Sequence, residues 1–450
     1  MSSVHQLKIS VAGVRGVVGD FLTPNLACAF AQAFGTYVGP GPVVLARDTR
    51  ASGEMLVHAA ACGLLASGCE VIKIGIAPTP TAQIYVADIR AAGGIAITAS
   101  HNPPEYNALK LFNGEGLFFN QYERAELIDL YHQSEFRHAL NEDMRRVVLD
   151  AETAPERHFG RILRHIDVES IRRRRFRVAL DAVNGAGSRM SVRFLRDILG
   201  CELHAIHADP TQPFPREPEP RPEVLGELSD LVVRVRADIG FAQDPDGDRL
   251  AVAGETGRVL DNDDVLALAV DCVLRKQKGP VAVNLTTTAA IDDIAARHGC
   301  PVYRTAVGEA NVVERMRAVR AVIGGEGANG GIIWPAVHYC RDSYTGMALL
   351  LERMARTGQT LNELAAALPR YWRRSGKFPF EHGRLGQWMQ ALEAALADAQ
   401  ADRTDGLKLT LPEGWIHVRA SNTEPLVRIA VEARTQEEAE RLYALAASLG

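Results

Sequence analysis

The chain has 450 residues, 47% of them hydrophobic and 23% charged, with 55 acids against 50 bases and a net charge of −5. That length suits about three domains, or a larger number of smaller ones, and the missing positive excess argues against a general nucleic-acid binder. No apolar run reaches the roughly 18 residues of a membrane span, and seven scattered cysteines without a CxxC pair speak against a disulfide framework or structural zinc and for a reducing cytoplasm. The opening residues, Met1 to Gln6, lack a charged stretch followed by an apolar one, so no secretory signal is expected.

One grammar recurs three times: an apolar strand, a polar turn, an amphipathic helix, a Gly-Cys step and a second strand. The first copy runs through a strand at 43–46, a turn around 47–53, a helix to Leu65, Gly68-Cys69 and a strand at 71–74. A further strand at 94–97 ends in Thr98-Ala99-Ser100-His101-Asn102-Pro103-Pro104. Ligands of α/β sheets gather beyond the carboxyl ends of strands, where Ser100 falls, and the two prolines stiffen the loop. A serine so placed is a nucleophile or phosphate carrier; the alternative is a polar turn with a capping serine. No Gly-x-Ser-x-Gly elbow is present, so a hydrolase triad has no support.

Residues 138–157 are charged and weakly periodic and mark a first boundary. The run Arg172-Arg173-Arg174-Arg175 reads as a solvated lead-in to the next strand rather than a nucleic-acid patch, given the negative balance elsewhere. The second copy has a strand at 178–180, a turn at 184–187, a helix to Leu199, then Gly200-Cys201 and a strand. Six prolines between Asp209 and Pro222 exclude regular structure and predict an extended loop.

Asp244-Pro245-Asp246-Gly247-Asp248-Arg249 comes next. Carboxylates at i, i+2 and i+4 converge on one hard cation if the loop curls, and oxygen-only ligation suits magnesium. An EF-hand is excluded because its sixth position must be glycine and is Arg249, and because the flanks read as strands. An acidic surface turn is the alternative, but three carboxylates this close repel unless neutralised. The third copy has a strand at 281–283, a turn at 286–288, a helix to Arg297, Gly299-Cys300 and a strand at 302–303. Cys69, Cys201 and Cys300 thereby read as buried residues at strand starts.

After a strand at 321–323 comes Gly324-Gly325-Glu326-Gly327-Ala328-Asn329-Gly330-Gly331. Its glycines allow close approach of backbone to ligand, and Glu326 with Asn329 offers acceptors and donors for sugar hydroxyls; a flexible connection is the alternative. Near 369–379 the α/β grammar ends. Strands at 415–419 and 426–432 then pair antiparallel, and 436–449 closes with a helix, an α+β domain. Between those strands, Arg419-Ala420-Ser421-Asn422-Thr423-Glu424-Pro425, with Arg428 beyond, has the composition of a phosphate cradle; a hairpin with surface arginines is the alternative.

In this combination and order, the four segments resemble the α-D-phosphohexomutase family, which includes phosphoglucomutase, phosphomannomutase and phosphoglucosamine mutase. Gly13-Val14-Arg15-Gly16 and Arg47-Asp48-Thr49-Arg50 match its early motifs. The resemblance covers nearly the whole chain. It implies an α/β fold of four domains around a central cleft, three related α/β domains with mixed, mostly parallel sheets and a C-terminal α+β domain, divided here as 1–150, 151–252, 253–368 and 369–450. It implies that Ser100 carries a phosphoryl group and that magnesium binds Asp244, Asp246, Asp248 and a phosphate oxygen on Ser100. Arg249 would offset charge, and Lys110 or His101 would move a proton. Arg15, Gly308, Glu326, Asn329, Arg419, Ser421, Asn422, Thr423 and Arg428 would hold substrate. The implied partners are a hexose phosphate and a hexose 1,6-bisphosphate activator, with no nucleic acid or membrane, in a cytoplasmic monomer or homodimer. One departure stands out. Many members read Gly-Glu-x-Ser-Gly where this chain has Gly325-Glu326-Gly327-Ala328-Asn329: Glu326 carries over, the serine does not, and Asn329 is read as its substitute. Thr305-Ala306-Val307-Gly308-Glu309 resembles the Val-Gly type of phosphoglucosamine mutases, which points to an amino sugar over the phosphomannomutase or phosphoglucomutase alternative.

Overall fold

The computed structural model describes residues 8–10, 13–379, 384–420 and 426–450. It divides into two compact units, Met1–Val265 with Asn329–Ala365, and Leu266–Ala328 with Ala366–Gly450.

The first unit holds a seven-stranded sheet in the order Lys8–Ser10, Gly13–Val17, Tyr106–Asn113, Gly93–Ile97, Pro42–Arg47, Glu70–Ile76, Val147–Leu149. Pro42–Arg47 pairs in parallel with both neighbours, as strand–helix–strand crossovers demand. The half from Gly93–Ile97 to Lys8–Ser10 is antiparallel. Val43, Leu45, Ile95 and Ile97 pack with Phe30, Phe34, Leu56 and Leu64 from the helices Pro24–Val38 and Gly53–Ala66 in one core. A second sheet has the order Leu250–Gly254, Ile239–Gln243, Arg177–Asp181, Glu202–Ile206. Ile239–Gln243 runs parallel to Arg177–Asp181 and antiparallel to Leu250–Gly254, so residues 244–249 form the turn at the carboxyl end of its parallel strands.

In the second unit, Val281–Asn284 pairs in parallel with Val302–Thr305 and Ile323–Glu326. The C-terminal sheet is antiparallel in the order Trp372–Pro379, Leu426–Ala433, Gly414–Ala420, Leu407–Thr410, Gln400–Asp402. Its apolar face packs on the helices Arg384–Ala395 and Gln436–Ser448 through Trp388, Leu392, Ile416, Ile429 and Leu442.

The three strand–helix–strand copies fold as read, with differences of detail. Cys69 and Cys201 are buried, but Cys300 is half-buried. The second copy's helix, Ser188–Val192, relaxes into a π-helical segment, Arg193–Ile198, before Gly200. The arginine run ends the short helix Val168–Arg174 and is exposed. The charged segment 138–157 hides an edge strand, Val147–Leu149. The Gly-rich segment is the largest correction. Gly324, Gly325 and Glu326 belong to the strand Ile323–Glu326 itself. A Cβ on Gly324 would lie 2.1 Å from Ala282 O and 2.9 Å from Met316 Sδ, so this glycine serves close packing of strand and helix rather than approach to a ligand. Among the described residues, no helix is long and apolar enough to cross a membrane.

Candidate active site

The first unit brings together the serine and carboxylate loops. Ser100 is the third residue after the strand Gly93–Ile97 and adopts φ +50°. A non-glycine residue there is strained by about 1–3 kcal/mol and persists only when its surroundings enforce it. The enforcement is visible. Ser100 N donates to Thr98 Oγ1 (3.0 Å), whose hydroxyl donates to buried Asp48 Oδ2 (2.7 Å). The Arg50 guanidinium donates to the carbonyls of Ser100 (2.6 Å) and Asn102 (2.7 Å). Hydrogen bonds from a charged donor contribute about 1.5–3 kcal/mol each, so two suffice to offset the strain. In this conformation Ser100 Oγ donates to Asp244 Oδ2 at 2.7 Å, across 144 residues of sequence.

Asp244, Asp246 and Asp248 are all buried, and one oxygen from each lies within 4.8 Å of the others. The loop is held from several sides. Asp244 Oδ1 accepts the N–H groups of Asp248 (3.1 Å) and Arg249 (3.2 Å). Thr79 donates both its hydroxyl and its N–H to Asp246, and Ser343 Oγ donates to Gly247 O (2.6 Å). Asp246 Oδ1 and Asp248 Oδ1 are buried with no hydrogen-bond partner among the described residues. Buried carboxylate oxygens left unsatisfied, converging with a third carboxylate, match the oxygen-only donor set of a hard divalent cation. The residues therefore fit magnesium.

Three cations face this cage. Lys110 Nζ donates to Asp246 Oδ2 (2.6 Å) and Asp248 Oδ2 (3.4 Å). Arg341 donates to Asp248 Oδ2 (2.7 Å). Arg249 is anchored by Glu219 at 2.5 Å and lies 3.9 Å from Asp248. Lys110 is carried by the strand Tyr106–Asn113, and Arg15 by its antiparallel neighbour Gly13–Val17. The two strands approach closely because residue 13 is glycine: at φ +114° a Cβ would sit 1.8 Å from Leu109 O. Arg15 donates to Asn102 Oδ1 at 2.5 Å.

The charges shape one another. Burial, then Asp246 and Asp248, push the Asp244 carboxyl well above the usual range. Burial works the same way on Asp246, but Lys110 and the hydrogen bonds on it outweigh burial and hold it low. Burial disfavours the Lys110 ammonium, yet Asp246 and Asp248 keep it above its ordinary value. Arg249 first, then burial and the charges of Arg15, Arg341 and Lys110, drive half-buried His101 far below the usual imidazole range. Burial and Arg249 lower Arg15 to about 10, where it remains charged at neutral pH.

The second unit carries a separate polar cluster. Glu326 is buried at its strand end and accepts from Asn284 Nδ2 (3.1 Å) and from Gly308 N (2.8 Å). Arg419 and Arg428 stand directly opposite each other on the paired strands Gly414–Ala420 and Leu426–Ala433. Arg419 has Asp405 at 3.9 Å, and Asp405 also accepts from Val307 N (3.0 Å). Burial lowers Arg419, with Arg428 adding to the effect and Asp405 opposing it. Ser421, Asn422 and Thr423 lie outside the described residues. Asn329 is half-buried, ends the short 3-10 turn Gly327–Asn329 and belongs to the first unit.

Sequence reasoning missed Thr79, Glu219 and Arg341, and quoted Asp48 and Arg50 without a role. Thr79 opens a helix 167 residues before its partner Asp246, and Arg341 follows an ordinary-looking loop. Only Arg50 and Asp48 carried a signal, their place in the Arg47–Arg50 motif just past the strand end.

Models of the phosphoglucomutase/phosphomannomutase family match four successive stretches: α/β/α domain I at 6–138, domain II at 156–257, domain III at 261–371 and the C-terminal domain at 384–448. The chain is 39% identical over 447 residues to a phosphoglucomutase/phosphomannomutase of Thermococcus kodakarensis, covering 97% of each. It is also 39% identical over 438 residues to a probable phosphoglucosamine mutase of Methanopyrus kandleri, covering 96% of this chain and 95% of that one. The crystal structure of a putative phosphomannomutase from Thermus thermophilus superposes with a TM-score of 0.84 at 27% identity and covers 98% of both chains. With all four domain models matched in order, and relatives this similar along almost the entire length, the chain belongs to the phosphoglucomutase/phosphomannomutase family.

Proposed function

We propose that the chain is a phosphohexomutase, an intramolecular phosphotransferase that moves a phosphoryl group between the 1- and 6-positions of a hexose phosphate. The observation that carries this reading is the Ser100 hydroxyl, 2.7 Å from the first of three converging buried carboxylates and ringed by cations. Ser100 carries the phosphoryl group. Its Oγ–P bond breaks as a hydroxyl of the bound hexose monophosphate forms a new O–P bond. The hydroxyl proton passes, by way of His101 or Lys110, to the departing Ser100 Oγ. The resulting hexose 1,6-bisphosphate turns over and returns its other phosphoryl group to Ser100, leaving the isomeric monophosphate. Asp244, Asp246 and Asp248, with an oxygen of the Ser100 phosphate, would hold magnesium, which when bound neutralises charge on the phosphoryl oxygens. Arg249 would offset charge on the same oxygens.

The non-transferring phosphate falls to Arg419, Arg428 and the hydroxyl-rich segment Ser421, Asn422 and Thr423, with Arg15 a further substrate contact. Gly308, Glu326 and Asn329 meet the sugar. The Val307-Gly308 segment and the phosphoglucosamine mutase relative favour a glucosamine phosphate; glucose or mannose phosphate is the second reading, favoured by the other relative's name. The seven free cysteines accord with a cytoplasmic enzyme, monomeric or homodimeric. Coupled assays of glucosamine, mannose and glucose phosphates at equal concentration test the choice. The highest kcat/KM is expected for glucosamine phosphate, and free inorganic phosphate in place of isomerised sugar phosphate would replace the mutase with a phosphatase.

A further inference from the structure

We infer that Arg50 is the positioning residue of the serine loop, and that the proline-rich segment over it ties that loop to the carboxylate loop. The inference rests on the mutase reading above and concerns residues that touch neither substrate nor metal.

Arg50 is buried, and all five of its guanidinium N–H donors are used. Nη2 donates to Ser100 O (2.6 Å) and Asn102 O (2.7 Å). Nη1 donates to Pro103 O (2.6 Å) and Tyr106 O (3.0 Å). Nε donates to Asp48 Oδ2 (3.0 Å). The circuit closes on the serine, because Asp48 Oδ2 also accepts from Thr98 Oγ1, which in turn accepts from Ser100 N. Arg50 thus holds Ser100 by its carbonyl directly and by its N–H through two intermediaries. Within the loop, among the described residues, only Asn102 N–Ala99 O and Tyr106 N–Pro103 O (3.1 Å each) join backbone to backbone, and Pro103 and Pro104 bring no N–H. A planar five-donor fork can grip four carbonyls and a carboxylate at once, which a lysine ammonium with three donors cannot.

The other face of the guanidinium is covered by the Phe214 ring, 5.1 Å from centroid to Cζ. Phe214 sits in the loop between Asp209 and Pro222. Two residues on, Arg216 donates to Gln243 O (3.0 Å), the carbonyl immediately before Asp244, and to Asp181 Oδ2 (2.7 Å). Further along, Glu219 anchors Arg249 just after the carboxylates. The six prolines make this segment stiff. It therefore works as a strap whose Phe214 end bears on the holder of Ser100 and whose Arg216–Glu219 end grips the carboxylate loop at both margins. The strap fixes the separation of Ser100 Oγ from Asp244, the distance on which phosphoryl transfer depends.

The test uses the full chain with magnesium, as Arg50→Lys and Phe214→Leu beside wild type. Misplacing a reacting group by about 1 Å costs up to roughly a hundredfold in rate, so Arg50→Lys should lower kcat by about that much with KM within about twofold. Phe214→Leu, which keeps apolar cover, should lower kcat by about three- to tenfold. Hydrogen exchange should accelerate at residues 99–106 in both variants and stay unchanged in the strands Pro42–Arg47 and Gly93–Ile97. Wild-type kcat in Arg50→Lys, or faster exchange throughout that sheet, would overturn the inference, the latter making Arg50 a residue of the fold alone. If wild type yields no isomerised sugar phosphate, the mutase reading fails instead, and the exchange pattern still decides whether Arg50 holds the loop.

Discussion

The serine–carboxylate centre and the paired arginines of the second unit are built on opposite plans. In the first, partners come from distant parts of the chain: Ser100 to Asp244 and Lys110 to Asp246 are 144 and 136 residues apart. Charge is met by opposite charge at hydrogen-bond distance, and a strained serine is locked by buried bonds. In the second, a local hairpin sets Arg419 against Arg428 in direct register, with Asp405 only at 3.9 Å from Arg419. Like charges directly opposite repel, a placement that a bound anion would offset. On the proposed reading, a chemical centre organised before ligand arrives stands beside a separate grip for phosphate.

The sharpest way to break this division is at the centre itself. Ser100→Ala removes the phosphoryl carrier and should reduce kcat by at least about a thousandfold while the fold survives, since loss of a nucleophile removes the reaction path rather than binding. Intact mass should show wild type, but not the variant, gaining one phosphate from hexose 1,6-bisphosphate. Full activity in the variant would remove the centre from the mechanism.

Asp246→Asn comes next. It deletes one charge from the cage and strips Lys110 of its closest partner. Magnesium affinity should fall by about tenfold or more, as for other disturbances of a metal site, with activity partly regained at high magnesium. Chelation should silence wild type reversibly; an undiminished rate in excess chelator would contradict the metal assignment.

The smallest effect is expected away from both regions, at His207, where the compensating logic of the centre is repeated with a weaker pair. The Asp181 carboxylate, 3.2 Å from Nδ1, raises the imidazole's affinity for its proton against the cost of burial. A raised folded-state value stabilises the protein below the unfolded value of about 6.5 and loses that contribution as pH rises through the folded one. His207→Gln should lower stability near pH 6 by under about 1 kcal/mol and much less near pH 9. Denaturant melts at the two pH values check it; a larger loss at high pH would reverse the sign.

Legibility in the sequence divides along the same contrast. Thr98 to Pro104 and Asp244 to Arg249 are contiguous, so their chemistry sits in adjacent letters, and the repeated strand–helix–strand grammar exposed the three α/β sheets. The hairpin at 414–433 was legible because its alternation and turn are local. Gly324 misled because a strand packed tightly under a helix and a loop at a ligand use the same residue. Val147–Leu149 was hidden by charged flanks, its strand character coming from the edge of Glu70–Ile76 that it joins. Arg341, Thr79 and Glu219 left no sign, since an isolated arginine, threonine or glutamate acquires a role only through tertiary position.

The division of labour is tested most directly by Arg419→Ala. Loss of a charge-assisted hydrogen bond to phosphate costs on the order of 1.5–3 kcal/mol, a ten- to hundredfold fall in kcat/KM. The decisive quantity is free hexose 1,6-bisphosphate released per turnover, measured beside phosphorylation of Ser100 by excess bisphosphate. A separate grip for phosphate predicts more bisphosphate released by Arg419→Ala than by wild type, with Ser100 phosphorylated to the same extent in both. Equal release with unchanged kcat/KM would contradict it.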